Sequence, residues 1–267
     1  MQNEAFGTLK KYFSNGDGTY IHFYGNGNGA RLFANCFQNG EWFGGDIPDM
    51  FVRADNMAIL IEHFEFDSYL STRKGSKNRQ EQYRIQKHED SIIPTEEISY
   101  LFDEIKGKSS YSYYLQNCLN SFERHYTQIG RYKENLEKSG LINNDLTLKV
   151  MFLIEDVSPL GSISSDDEGT KPIVLAQCKE FLHLLSERPN VDFVLACSCA
   201  GSNQYVWFID QEDLPEYINN STDYSNDTFL AFSPKVMGFK FLISPENKHQ
   251  AILREGFNLA KAETAEF

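Results

Sequence analysis

The sequence predicts an α/β domain with a mixed central sheet flanked by helices, and two observations predict it. From residue 146 onward, strand-like and helix-like runs alternate. LTLKVMFLIED, IVLAQCKEFLHLLSER and VDFVLACSC follow one another at a spacing that suits parallel strands joined by a crossover helix. Ahead of them, DMFVRADNMAILIEHFEFD, residues 49–67, reads as an antiparallel hairpin turned at Asp55–Asn56. No linker divides the chain, so residues 1–267 are read as a single domain, with a polar and basic insertion at about 68–110 and a peripheral segment at about 245–267.

The elements follow in order. EAFGTLKKYF, residues 4–13, has apolar positions at helical spacing, and GTYIHFYGNGNG reads as a short strand closed by a glycine and asparagine turn. ARLFANCFQNGEWF fits either a short helix or a strand pair. In the hairpin, Ile59, Leu60 and Ile61 form a continuous apolar run expected to be buried. PTEEISYLFDEI is expected to be a helix capped by Thr95, and residues 111–140 one long amphipathic helix stopped at Gly140. A loop rich in Ser, Asp and Gly separates the strand ending at Asp156 from the next helix, and QYVWFID and KVMGFKFLI read as two further strands.

A chain of 267 residues with 41% apolar content can bury a sizeable core. No window approaches the roughly 18 consecutive apolar residues that a membrane helix needs. The opening MQNEAFGTLKKYF lacks the apolar centre of a signal peptide, so a cytoplasmic protein without a membrane partner is expected. The five cysteines, Cys36, Cys118, Cys178, Cys197 and Cys199, are odd in number and lie in apolar or helix-like runs, which predicts reduced core residues rather than a zinc site. A net charge of -13 argues against the uniformly basic surface of a non-specific nucleic-acid binder. One stretch is locally basic: within residues 71–88 stand Arg73, Lys74, Lys77, Arg79, Arg84 and Lys87, enough to meet phosphate.

Chemistry-bearing candidates concentrate on the hairpin. Asp49 opens its first strand and Glu62 stands near the end of its second, so the turn brings both to one end of the sheet. Two carboxylates converging there suit a Mg2+-like ion, which prefers carboxylates and water and would activate a water for attack on a phosphoryl group. His63 and Glu65 alternate with Glu62 and are expected on the opposite face. Other motifs read as structure. The glycines of GNGNG match neither phosphate-loop pattern and NGDG lacks the far Glu of a calcium loop. SSDDEG reads as a solvated loop, and Glu155 and Asp156 as caps of the next turn. Glu123 and His125 do not share a helix face, His125 reads as a surface histidine about one turn before Gln128, and the strand-end Cys197-Ser198-Cys199 has no matched base.

Pro48-Asp49, a hairpin and Glu62 on an apolar strand, followed by a helix and another core strand, together resemble the PD-(D/E)XK nuclease superfamily. Gln128 and Tyr132, four apart, resemble the Gln-x-x-x-Tyr helix motif of some of its branches. The resemblance covers roughly residues 40–155. It implies a restriction-endonuclease-like fold and a nuclease using Mg2+ or Mn2+. Asp49 and Glu62 would hold the ion, with Glu65 as a further ligand, while Gln128 and Tyr132 would shape the site and Arg73, Arg79 and Arg84 would meet nucleic-acid phosphates. The chain departs from the pattern at one place, since the family's lysine should stand two residues after Glu62, where this chain has Phe64. Three arrangements stay open: a cation from Lys74 or Lys77, a bulge after Ile61 that lets His63 or Glu65 join Asp49, or loss of activity. The last would leave a catalytically inactive nuclease-fold module binding a protein partner or a second copy of itself.

Overall fold

The computed structural model describes residues 7, 9–10, 21–44, 48–72, 75–76, 80, 83–84, 87, 99–104, 109–143, 145–158, 162–167, 169–200, 203–231 and 235–240. Strand β1 (Ile21–His22) leads through a turn to helix α1 (Asn28–Asn39), and β2 (Glu41–Gly44), β3 (Met50–Ala54) and β4 (Met57–Phe66) follow. Two short strands, β5 (Ser71–Thr72) and β6 (Gly75–Ser76), and β7 (Ser99–Glu104) precede helices α2 (Tyr111–Tyr126) and α3 (Ile129–Lys138). Then come β8 (Thr147–Asp156), β9 (Ser162–Asp166), β10 (Gly169–Pro172), α4 (Lys179–Ser186), β11 (Phe193–Ala200), β12 (Asn203–Asp210), α5 (Leu214–Asn219), β13 (Thr228–Ala231) and β14 (Lys235–Lys240).

Seven strands form one mixed sheet in the order β1-β12-β11-β8-β4-β3-β2. The three strands β2, β3 and β4 make an antiparallel meander, whereas β4, β8 and β11 run parallel. Strands β4 and β8 pair without interruption from Met57↔Thr147 to Phe66↔Asp156, so no bulge shifts the faces of β4 against β8. That unbroken register fixes which side chains go where. Phe51, Leu60, Phe64, Phe152, Ile154 and Val194 pack into one cluster with Cys118 and Phe122 of α2, Tyr132 and Leu136 of α3, and Phe181 and Leu182 of α4. Met50, Ile59, Ile61, Met151, Leu153 and Leu195 pack on the other face with Phe33 and Cys36 of α1. Both crossovers between parallel strands thus cover one face, and α1 covers the other.

The hairpin turns where expected, with Asp55 in the left-handed region at φ 51, a conformation Asp tolerates better than most residues. Residues 30–43 resolve into the end of α1 followed by β2. Asn26 accepts from the Asn28 N–H at 2.7 Å, and Gly27, at φ 65, starts the helix where a Cβ would strike the Phe23 ring. Cys36, Cys118, Cys178 and Cys197 are buried free thiols. The side chain of Cys199 and most of residues 4–13 lie outside the described residues.

Several expectations are corrected. The run expected as a helix at 94–105 contains strand β7, which pairs with β14 from Ser99↔Lys240 to Glu104↔Lys235. A distant partner strand here outweighs local helix propensity. The expected helix at 111–140 is two helices, broken at Thr127–Gln128 with Gly130 just beyond. The SSDDEG stretch is not a solvated loop, because β9 and β10 form a hairpin that β13 extends, with Ser164 buried. The segment at 68–110 is closed at its base by a Tyr69↔Ser109 bridge and by Ser110 N–H donating to the Ser68 carbonyl. No described helix is long and apolar enough to cross a membrane.

Phe152 is fully buried, with ring centroids 4.9 Å from Phe122 and 6.2 Å from Phe64, so it ties the central strand to the helical layer. Phe152→Ala should lower unfolding free energy by about 3 to 5 kcal/mol in urea denaturation. A loss below about 1 kcal/mol would contradict this packing.

Candidate functional site

The site grows from the middle of β4. Alternation sends Leu60, Glu62 and Phe64 towards the helical layer, so Glu62 enters an otherwise apolar face and is only 4% exposed. A buried carboxylate must be given donors or charge. Two helices supply donors to one of its oxygens: His125 Nδ1 lies 2.6 Å and the Tyr132 hydroxyl 2.8 Å from Glu62 Oε1. His125 ends α2 and Tyr132 begins α3. In one continuous helix seven residues rise about 10.5 Å. The turn at Thr127–Gln128 interrupts that rise, and both side chains converge on a single oxygen. The other oxygen, Glu62 Oε2, is buried without a hydrogen-bond partner.

Asp49 stands one residue before β3. Met50 pairs with Ile61, and one further step of the register sets Asp49 across from Glu62. Its Oδ2 accepts from the His63 backbone N–H at 2.8 Å. Burial raises the Asp49 carboxyl above its ordinary value. The His63 N–H opposes that shift, and the charge of Glu62 adds to it. Tyr132 is pushed up by burial, by its bond to Glu62 and by the charges of Glu62 and Asp49. A raised Asp49 carboxyl beside the buried Glu62 carboxylate, one of whose oxygens has no hydrogen-bond partner, makes a setting that a divalent cation would relieve.

The opposite face carries a second group. His63 Nε2 is 2.8 Å from Glu155 Oε2, and one ligand atom each from His63, Glu65 and Glu155 lie within 4.8 Å of one another, close enough to hold a metal. Burial pulls the His63 imidazole down, but the bond to Glu155 and the charges of Glu155, Glu65 and Asp49 outweigh it, and its value is raised.

The structure therefore brings Asp49, Glu62 and Tyr132 together and separates His63 and Glu65 onto the other face. Gln128 is half-buried at the start of α3, and among the described residues no hydrogen bond joins its side chain to Glu62. Arg84 is exposed, while Arg73, Lys74, Lys77 and Arg79 lie outside the described residues. Two residues were read differently from sequence. His125 is not a surface histidine but half-buried against Glu62, and Glu155 bonds His63. The spacing of seven between His125 and Tyr132 would put both on one stripe of the single helix the sequence suggests, but polar residues on such a stripe do not by themselves point to a buried acid. No family model, curated protein or solved structure matches the chain.

Asp156 does cap its turn, accepting from the Ser158 N–H at 2.8 Å at the end of β8. It is buried, and burial lifts its carboxyl from 3.8 to about 6, against the lowering effect of Ser158. Since the folded value lies above the unfolded one, the neutral acid favours folding. Its contribution is fully present below 3.8 and is lost as pH rises through about 6. Asp156→Asn should gain stability relative to the unaltered chain between pH 4 and pH 7 by about 2 kcal/mol, read from urea denaturation at each pH. A difference that stays constant with pH would refute the burial argument.

Proposed function

We propose that the protein is a metal-dependent nuclease that hydrolyses phosphodiester bonds, with Asp49 and Glu62 holding Mg2+ or Mn2+. The buried, unpartnered Glu62 Oε2 beside Asp49 carries this reading. A carboxylate oxygen removed from water without a donor is costly unless an ion takes the donor's place.

The strand order supports the same reading. Helix α1, the antiparallel meander β2–β3–β4, a helical crossover and β8 parallel to β4 follow in the sequence expected of a restriction-endonuclease-like core. Asp49 then stands at the start of the second core strand and Glu62 on the third. In the sequence the basic segment at 71–88 follows β4 within a few residues, and its cations have the chemistry that would meet the phosphates of a nucleic-acid substrate.

The bound ion would lower the pKa of an attacking water and stabilise charge on the phosphoryl oxygen. Glu62 presents one oxygen to it because the other is occupied by His125 and Tyr132. Asp49 is held by the His63 N–H, so both ligands are fixed by groups outside the ion's own shell. The water oxygen bonds to phosphorus, the bond to the departing ester oxygen breaks, and protons pass to and from solvent.

Phe64 in the lysine position favours a second reading, in which the same scaffold is catalytically silent and binds a protein partner or another copy of itself. Incubation of the purified chain with single- and double-stranded DNA and RNA, with Mg2+ or Mn2+ and with a chelator, separates the two. Asp49→Asn and Glu62→Gln should each reduce cation-dependent cleavage by about 1,000-fold, equivalent to about 4 kcal/mol. Equal background from all three proteins would eliminate the nuclease.

A further inference from the structure

We infer that His125 is a positioning residue for the ion-binding carboxylate and takes the place left by the strand lysine. The inference rests on the proposed function, in that Glu62 is the carboxylate being positioned. In the family pattern the residue two after Glu62 points a cationic donor along the same strand face. Here that residue is Phe64, 5% exposed, and its ring lies flat against the His125 imidazole, with centroids 5.2 Å apart and planes 19° apart. The imidazole thus occupies the volume above position 64 and delivers a donor to Glu62 from the helix rather than from the strand.

The neighbours of the ring fix which nitrogen donates. Arg124 Nη2 is 3.2 Å from His125 Nε2. A guanidinium has only donors, so Nε2 accepts and the proton resides on Nδ1, facing Glu62 Oε1. With the Tyr132 hydroxyl on the same oxygen, Oε1 is saturated by two donors and Oε2 alone remains for a ligand. Arg124, His125 and Glu62 form a chain in which an exposed cation orients a ring that orients a carboxylate, the arrangement by which outer partners tune metal ligands. Phe64 has a task in this scheme: its face keeps the imidazole from rotating away. A lysine at 64 would compete for the same space.

The test uses the full chain and Mn2+ alone as probe, with binding followed by electron paramagnetic resonance and cleavage measured in parallel. His125→Ala should weaken Mn2+ binding by about 10- to 100-fold while the thermal transition of the metal-free protein persists. His125→Asn, which keeps a donor near the position of Nδ1, should recover most of that loss. Phe64→Lys added to His125→Ala should also restore binding and cleavage, because the ammonium then enters the space the imidazole leaves. Unchanged Mn2+ affinity in a folded His125→Ala protein would overturn the positioning role, and the nuclease reading would stand if the unaltered chain still cleaves. Weakened binding in a protein that never cleaves nucleic acid would uphold the positioning role and remove the nuclease. Failure of the unaltered chain to bind Mn2+ would overturn both.

Discussion

A carboxylate taken out of water must be compensated, and Glu62 is taken out of water on a strand face whose neighbouring positions, Leu60, Phe64 and Phe66, are buried and apolar. Much of the surrounding architecture answers that requirement. The helical layer over β4 does not run as one rod but breaks at Thr127–Gln128, and the break sends His125 and Tyr132 to the same oxygen. The hairpin turn at Asp55–Asn56 pairs β3 with β4 so that Asp49 comes across from Glu62, where the His63 N–H holds it. A sheet packed only for stability would have had an apolar residue at position 62, since well-packed apolar side chains of similar volume commonly stabilise as much or more.

The same strand serves two faces with different chemistry. Towards the helices it offers Glu62, with hard oxygen ligands suited to Mg2+ or Mn2+. Towards α1 it offers His63 and Glu65, which with Glu155 make a mixed nitrogen and oxygen set better matched to a transition metal. The two groups are mechanically joined, because the backbone N–H that anchors Asp49 belongs to His63. A change at either face is therefore expected to be felt at the other.

Much of this was legible in the sequence, for physical reasons. The hairpin showed because apolar runs flank a residue pair that tolerates positive φ, and the parallel strands β8 and β11 showed because strands covered on both faces read as continuous apolar runs. Pairing between distant segments left no local trace. Strand β7 depends on β14 more than 130 residues later in the chain, and β9 depends on β13, so local propensity read one as a helix and the other as a loop. At the site, Asp49 and Glu62 could be named because the turn dictates their convergence. His125 could not, since a polar residue on an amphipathic helix reads as solvated until the acid opposite it is known to be buried.

The most direct measurement is anomalous diffraction from crystals soaked in Mn2+. A manganese peak is expected between Asp49 and Glu62 Oε2, with His125 and Tyr132 still bonded to Oε1. A peak only among His63, Glu65 and Glu155, or none within reach of Glu62, would contradict it.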